Sequence, residues 1–420
     1  MINIYKGNIV FTPSKDCFEI IENGYLCVKD GIILEVSSEI PEKFTDYTLT
    51  DFGDKLIIPG FTDLHLHAPQ FPNRGLGLDE QLLVWLEKYT FPEEKKYSDL
   101  EYAEKVFTKV AELLLRFGTT RAVIFNTIHI ESTDLLMSIL DKFKLPSYVG
   151  KVNMDRNSPD FLQEITEKSL QDTKKWIENT ISKYNYVKPI ITPRFSPTCS
   201  KDLMNGLSEF AKIYKLPIQT HISENKEEVS LVKELHPENK SYADVYDSCN
   251  LLGERTILAH CVYNTDDELD LMKKRGIFAA HCPNANYNLA SGIMPLRKML
   301  DMDINIGLGS DVGAGHEISI AKVMRATIQA SKIAWIESGK EFSPISLSEA
   351  FYLGTKSGGS FFGNVGSFEV GYEFDALVID DSNLNIGYEK DIHERIERFI
   401  YIGDDRNIVK RFIKGNEIFI

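Results

Sequence analysis

The chain contains no apolar run of the roughly 18–20 residues that a membrane-spanning helix requires. Its first residues, Met1-Ile-Asn-Ile-Tyr-Lys, read as a strand and lack the basic stretch and long apolar core of a secretory signal. No CxxC pair occurs: Cys17, Cys27, Cys199, Cys249, Cys261 and Cys282 are scattered. That excludes a disulfide frame and predicts reduced thiols in a cytoplasmic protein. Cys261 and Cys282, directly after His260 and His281, are predicted to pack in the core. A GxxxxGK[ST] phosphate cradle is also missing. Basic residues are in deficit, 47 Lys and Arg against 62 Asp and Glu, for a net charge of −15. A field of that sign repels phosphate backbones, so no nucleic-acid partner is expected.

The remaining composition is that of an ordinary globular protein, with 43% hydrophobic and 26% charged residues over 420 positions. Apolar β-rich runs alternate with amphipathic stretches, the pattern of parallel β/α architecture. Eight strand candidates are Lys55–His67, Thr120–Thr127, Tyr148–Met154, Val187–Phe195, Ile218–His221, Thr256–His260, Ile277–His281 and Ile304–Ser310. Between them, Glu101–Phe117 carries apolar residues at Ala103, Val106, Val110, Leu113, Leu114 and Phe117, a helical spacing. Phe161–Tyr184 and Lys201–Tyr214 read likewise, and Gly118 and Gly276 stand where helix C-caps want positive φ. The expected fold is α/β: a (β/α)8 TIM barrel over residues 55–365. Residues 1–54 and 366–420 read as short strands, among them Ala376–Asp380, Phe399–Ile402 and Val409–Phe412. They are expected to form one small β-sandwich built from both termini.

Chemistry concentrates at predicted strand ends. His65 and His67 stand at i and i+2, which on a strand puts both imidazoles on one face, roughly 6–7 Å apart at Cα. An isolated HxH is weak evidence, but His221, His260, His281 and Asp311 recur at the ends of later strands. In a barrel those ends converge on one face, where active sites sit. Three histidines and a carboxylate there make a metal site that suits zinc best, with iron or manganese as alternatives.

Pro59-Gly-Phe-Thr-Asp-Leu-His-Leu-His67 resembles the first-strand signature of the amidohydrolase superfamily. Further segments are similar to the members of that superfamily that deaminate guanine: Ala68-Pro-Gln70, Trp85–Pro92, Thr192–Ser196, Thr220–Asn225, Ala280–Asn284 and Gly307–Val312. The resemblance implies one zinc per chain bound by His65, His67, His221 and Asp311. His260 would hold the attacking water or act as a further ligand, and Glu224 would shuttle protons. Gln70, Arg194 and Phe195 would line a purine pocket, and a homodimer is implied. Ala285 and the Gly313-Ala-Gly315 loop depart from the relatives' pattern. The end of the fourth strand candidate, Ile190-Ile-Thr-Pro-Arg194, carries no lysine of the kind that bridges two metals, so a single metal is favoured. The HxE and PCxxC pair of the other zinc deaminase fold is absent.

Two other readings compete: a related deaminase or hydrolase acting on an adenosine derivative, cytosine or a triazine, and a metal-free scaffold. Arg194 and Phe195 with Gln70 argue against the first, and the intact metal and proton-transfer set argues against the second. His129, His236 and His393 read as structural or solvated residues, His316 as a weak pocket candidate, and Trp85–Tyr89 as lid or interface packing.

Overall fold

The computed structural model describes residues 2–384, 386–387 and 390–420. Four strands come first: β1 Ile2–Ser14, β2 Cys17–Lys29, β3 Ile32–Ser37 and β4 Thr48–Pro59. Then come β5 Phe61–His67, β6 Thr119–Phe125, β7 Ser147–Gly150, β8 Val152–Asn153, β9 Val187–Pro189 and β10 Thr192–Pro193. β11 Ile218–Ile222, β12 Thr256–His260, β13 Phe278–His281 and β14 Asn305–Leu308 follow, and β15 Ala376–Ile379, β16 Ile408–Ile413 and β17 Asn416–Glu417 close the chain.

Two parallel four-stranded sheets form the centre, in the orders β5-β6-β7-β9 and β11-β12-β13-β14. Backbone contacts cross both gaps between them. Ile191 pairs with Ile218 on one side; on the other, Asp311 N donates to His65 O and His67 N to Val312 O, each at 2.8 Å. Apolar side chains alternate across these strands. Leu64, Phe125, Ile190, Ala259 and Ala280 pack inward on one another, while Ile124, Val149, Leu258 and Ala279 join the cluster that the helices cover.

Helix Leu100–Arg116 shows why these segments are helical. Asp99 caps it by accepting from the amides of Glu101 and Tyr102, and Ala103, Val106, Phe107, Val110 and Leu114 make its buried stripe. Helix Asp266–Arg275 has a Thr265–Glu268 capping box, acids in its first turn and bases in its last, matching the helix dipole. Gly118 and Gly276 adopt positive φ as expected.

The two termini meet in one seven-stranded sheet, β17-β16-β15-β4-β1-β2-β3. Four strand expectations need correction; Tyr148–Met154 and Val187–Phe195 each break in two, and β8 and β10 pair in a small sheet of their own. The segment Lys55–His67 is not one strand: β4 stays in the terminal sheet through Pro59, beyond the boundary expected at 54/55, and β5 starts at Phe61. Gly60 is the crossing point, where a Cβ would lie 2.4 Å from Thr120. Phe399–Ile402 is not a strand either but the end of helix Ile392–Ile402. Ile392, Ile396, Phe399 and Ile400 are its buried face, and Asp391 with Glu394 forms its capping box.

A buried cation ties the terminal sheet to the central strands. Arg121 on β6 lies 2.6 Å from Asp375 and 2.5 Å from Glu373, and both Arg121 and Asp375 are fully buried. Removing one partner of a buried pair strands the other charge, at about 3–5 kcal/mol. Arg121→Met is therefore expected to lower the unfolding free energy by an amount of that size, read as a lower chemical-denaturation midpoint. An unchanged midpoint would show that the pair contributes nothing net.

Candidate active site and metal centre

The ends of β5, β11 and β12 and the turn after β14 bring six of the expected residues to one place. Ligand atoms of His65, His221 and His260, and of His65, His67 and Asp311, lie within 4.8 Å of one another. His65 Nε2 is 3.1 Å and His67 Nε2 is 3.6 Å from Asp311 Oδ1. His67 Nε2 and His221 Nε2 face each other at 3.0 Å. His260 Nε2 lies 3.4 Å from Glu224 Oε2 and 3.8 Å from Asp311 Oδ2.

Local backbone makes this possible. The pairing of β5 with β6 is irregular between Asp63 and Leu66, just where His65 sits. His260 and Asp311 adopt φ of +77° and +47°, a region that non-glycine residues seldom occupy and that marks functional sites. Along β12, Ile257 and Ala259 point inward and Leu258 outward. Alternation alone would turn His260 outward, and its positive φ redirects it into the site. His281 at the end of β13 has no such bend and departs from the expectation. It lies outside the ligand group and lines a separate cavity bordered by Met294, Met302 and Thr327.

Buried Asp63 holds the two sides of the site together. It accepts from Ser310 Oγ (2.5 Å), Ser310 N (3.0 Å) and His65 N (3.2 Å). Burial, the largest influence, pushes its carboxyl up to about 7 against the pull of these donors. Its place two residues before His65 is the one cue to this role that a reading of the sequence offers.

The donor set fits a metal. Among the described residues, both ring nitrogens of His65 and Nδ1 of His67 are buried with no hydrogen-bond partner. Such orphans are costly unless something absent from the polypeptide satisfies them. His221 Nδ1 donates to Arg194 O at 2.7 Å and His260 Nδ1 to Asn286 Oδ1 at 2.9 Å, which aims both Nε2 atoms at the centre. The 3.0 Å gap between His67 and His221 is one that two nitrogens bound to one ion at about 2.0–2.1 Å can span. Burial first, then neighbouring histidines, hold the imidazoles of His65, His67 and His221 well below their usual range, in the neutral form that ligates.

Next to this centre is a cavity lined by His67, Gln70, Trp85, Arg194, Phe195, Glu224, Asp311 and Ala314, among others. Glu224 accepts from Ser291 Oγ at 3.0 Å. Burial, and then the Asp311 carboxylate, push it up to about 8. Asp311 is pushed up by burial to about 6. Gln70, Arg194 and Phe195 line the wall as expected. Trp85, Leu82 and Leu86 face the same cavity.

Sequence reasoning also missed Glu94. Fully buried, it accepts from Arg194 Nη1 through both oxygens (3.0 and 2.7 Å) and from Gln70 Nε2 at 3.0 Å. Arg194 is thus an ion-pair partner and a cavity residue at once. Glu94 stands in the charged run Pro92-Glu-Glu-Lys-Lys96, which reads as a solvated face. Other residues sit away from the cavity. His316 is exposed, beside Asn288; His236 ends helix Lys226–Leu235, bonded to Arg156; His129 precedes helix Ile130–Lys142; and His393 is exposed against Phe18. Ala285 packs in the inner apolar cluster. Lys188 is bonded to the carbonyl oxygens of Ile181 and Tyr184.

The amidohydrolase family model matches residues 56–418. The chain belongs to the amidohydrolase family. This amidohydrolase is 40% identical to the guanine deaminase of Dictyostelium discoideum, covering 100% of this chain and 98% of that one. It is 39% identical to the guanine deaminase of Homo sapiens, covering 100% and 97%. Among solved structures, it matches guanine deaminase from C. acetobutylicum, with guanine bound in the active site, at a TM-score of 0.98 and 50% identity over 100% of both chains. Its fold is therefore of the TIM-barrel type, with an added sheet of terminal strands.

The loop after Asp311 packs tightly against the segment that carries Gln70. A Cβ on Gly313 would lie 2.2 Å from the Gln70 carbonyl oxygen. Gly313→Ala must push the loop and the Gln70 backbone apart, and such overpacking typically costs about 1–3 kcal/mol. The variant is expected to melt earlier and bind substrate more weakly while keeping its metal. Normal melting and KM would show that the loop yields freely.

Proposed function

We propose that this chain hydrolyses guanine to xanthine and ammonia, using one metal ion per chain held by His65, His67, His221 and Asp311. The observation that carries the reading is the placement of a buried His/Asp ligand group beside a wall of Gln70, Arg194 and Phe195. The guanine bound in the active site of the 50%-identical relative supports the choice of substrate. Zinc suits the donor set, with iron or manganese as alternatives. The two central sheets, bridged on both sides, are read as a closed (β/α)8 barrel from about residue 60 to 365, with the strands through Pro59 and residues 366–420 as a composite β-sandwich domain. No helix among the described residues is long and apolar enough to cross a membrane. Six free cysteines, five of them buried, suit the cytoplasm. Family resemblance favours a homodimer.

Bound in this site, the metal supplies a Lewis acid that makes water nucleophilic near neutral pH. The protein supplies the rest. Asp311 receives the proton that water loses as it attacks C2. Glu224, protonated near neutral pH by its burial, delivers a proton to the ring nitrogen beside C2. His260, aimed by Asn286, stabilises the oxygen as charge develops. Asp311 then passes the proton it took from water to the amino group, and ammonia departs. Arg194 has donors only, in a planar fork. It suits the O6 acceptor of guanine and opposes the amino donor that adenine carries at that position, while Phe195 holds the ring plane.

Ammonia release from guanine, adenine, cytosine and guanosine, measured side by side, tests the reading. Guanine alone is expected to turn over well, and preference for another base would overturn it. Arg194→Met is expected to collapse guanine kcat/KM, because sites built to bond one polar group reject its mismatch by roughly 10⁴–10⁵. Arg194→Lys, which keeps charge but loses the fork, is expected to fall sharply too. Near-normal activity in the Met variant would remove Arg194 from substrate recognition. Glu224→Gln is expected to keep its metal and lose about 10²–10⁴ in turnover. A wild-type rate would exclude Glu224 as the proton shuttle.

A further inference from the structure

We infer that Glu94 is a positioning residue that fixes the order of hydrogen-bond donor and acceptor along the purine-facing wall. The inference rests on the guanine reading and adds to it how the wall is oriented. A carboxylate only accepts, so the Gln70 amide must turn its Nε2 toward Glu94, as observed at 3.0 Å. That leaves Oε1 as the atom Gln70 has for a ligand in the cavity it lines. Arg194 directs Nη1 at the same carboxylate, through both oxygens, and its other nitrogens remain for the ligand. The wall therefore presents a donor, from Arg194, beside an acceptor, from Gln70.

That order matches a ring edge carrying an acceptor next to a donor. Guanine has one, O6 beside N1–H. Gln70 lies in the turn that follows His67 directly and is assigned to N1–H, with Arg194 assigned to O6. N1 adjoins C2, the carbon attacked. With N1–H held by Gln70, the nitrogen left for Glu224 to protonate is N3, on the other side of C2. Adenine lacks the match at both positions: N1 is an acceptor facing an acceptor, and its amino group is a donor facing a donor.

Glu94 is placed to act through these two residues and not on the substrate. It is fully buried and absent from the cavity lining. It ends helix Phe91–Glu94, which follows directly on the turns that carry Trp85 and Leu86. One carboxylate thus joins three separate stretches of chain around the cavity: the segment after β5, the helix, and the segment after β10.

A charge swap tests the inference. In Glu94→Gln the new amide is expected to accept from Arg194 through its oxygen and turn its NH2 toward Gln70. Gln70 then has to rotate, offering Oε1 to that NH2 and Nε2 to the cavity. Guanine kcat/KM is expected to fall at least about 10²-fold with metal content unchanged, because a donor now meets N1–H. Gln70→Glu alone sets two carboxylates against each other and is expected to lose activity as well. Combining the two restores the order: the amide now at position 94 donates to one oxygen of the carboxylate now at position 70, and the other oxygen faces the cavity as an acceptor. The double variant is expected to exceed each single variant at least about tenfold in kcat/KM. A purely structural role predicts that the losses multiply, and either that result or a near-normal Glu94→Gln would overturn the inference. If Glu94→Gln does not fold, Glu94→Asp takes its place, keeping the charge but drawing it back by one methylene; retained metal with lost guanine turnover supports the inference, and unaltered turnover overturns it. The parent enzyme's own rate on guanine separates the two readings: failure there refutes the substrate and the inference built on it, whereas an active parent with a near-normal Glu94→Gln refutes only the role of Glu94.

Discussion

His67 and His221 hold their Nε2 atoms 3.0 Å apart in a buried space. His221 already gives its Nδ1 proton to Arg194 O, so a neutral ring leaves its Nε2 a bare acceptor. Among the described residues, His65 has no hydrogen-bond partner for either ring nitrogen. Each unsatisfied buried polar group costs about 1–3 kcal/mol, so a chain that gathers them in one place requires a cation to offset the cost. The same convergence constrains the backbone: β5, β11, β12 and the turn after β14 must end at one point. Positive φ at His260 and Asp311 and the Asp63 clamp on Ser310 and His65 are the local means of meeting it.

Burial then tunes the acids. Asp63, Glu224 and Asp311 are all buried, and all are pushed up for that reason first. The consequences differ with their partners. Asp63 spends its oxygens on backbone and hydroxyl donors and is structural. Glu224 has a hydroxyl partner in Ser291 and an oxygen near His260, so it can exchange a proton with something in the cavity. Two carboxylates with similar shifts are thus separated by what they touch.

The sequence made the ligands legible because their signal is periodic: HxH on one strand, then single histidines and an aspartate at later strand ends. The same rule misjudged His281, because alternation places its side chain outside the strands and no positive φ redirects it, as one does for His260. Backbone bends of this kind leave no residue-type signature when the residue is not glycine. Glu94 was hidden for a different reason: a glutamate in a run of charges looks solvated, and only the arrival of Arg194 from a hundred positions away explains its burial. Phe399–Ile402 was readable as a helix, since Asp391 and Glu394 form a capping box three residues apart. Four apolar residues in isolation carried no period to separate helix from strand.

Arg194 shows how closely the His/Asp group and the cavity wall are interleaved without being the same thing. Its carbonyl oxygen accepts from His221 Nδ1 and also from Thr220 Oγ1 at 3.2 Å, so the backbone at this position orients a ligand. Its side chain leaves in another direction, to Glu94 and the cavity wall. Changing the side chain leaves the carbonyl in place, and the imidazole keeps the partner that aims it. Gln70 divides its duties the same way: its backbone oxygen packs against Gly313 in the loop after Asp311, while its amide answers to Glu94. The geometry of the candidate ligands here depends on main-chain atoms of residues whose side chains line the cavity. The cavity wall is therefore free to change through side chains such as Glu94, Gln70 and Arg194 while the His/Asp group keeps its geometry.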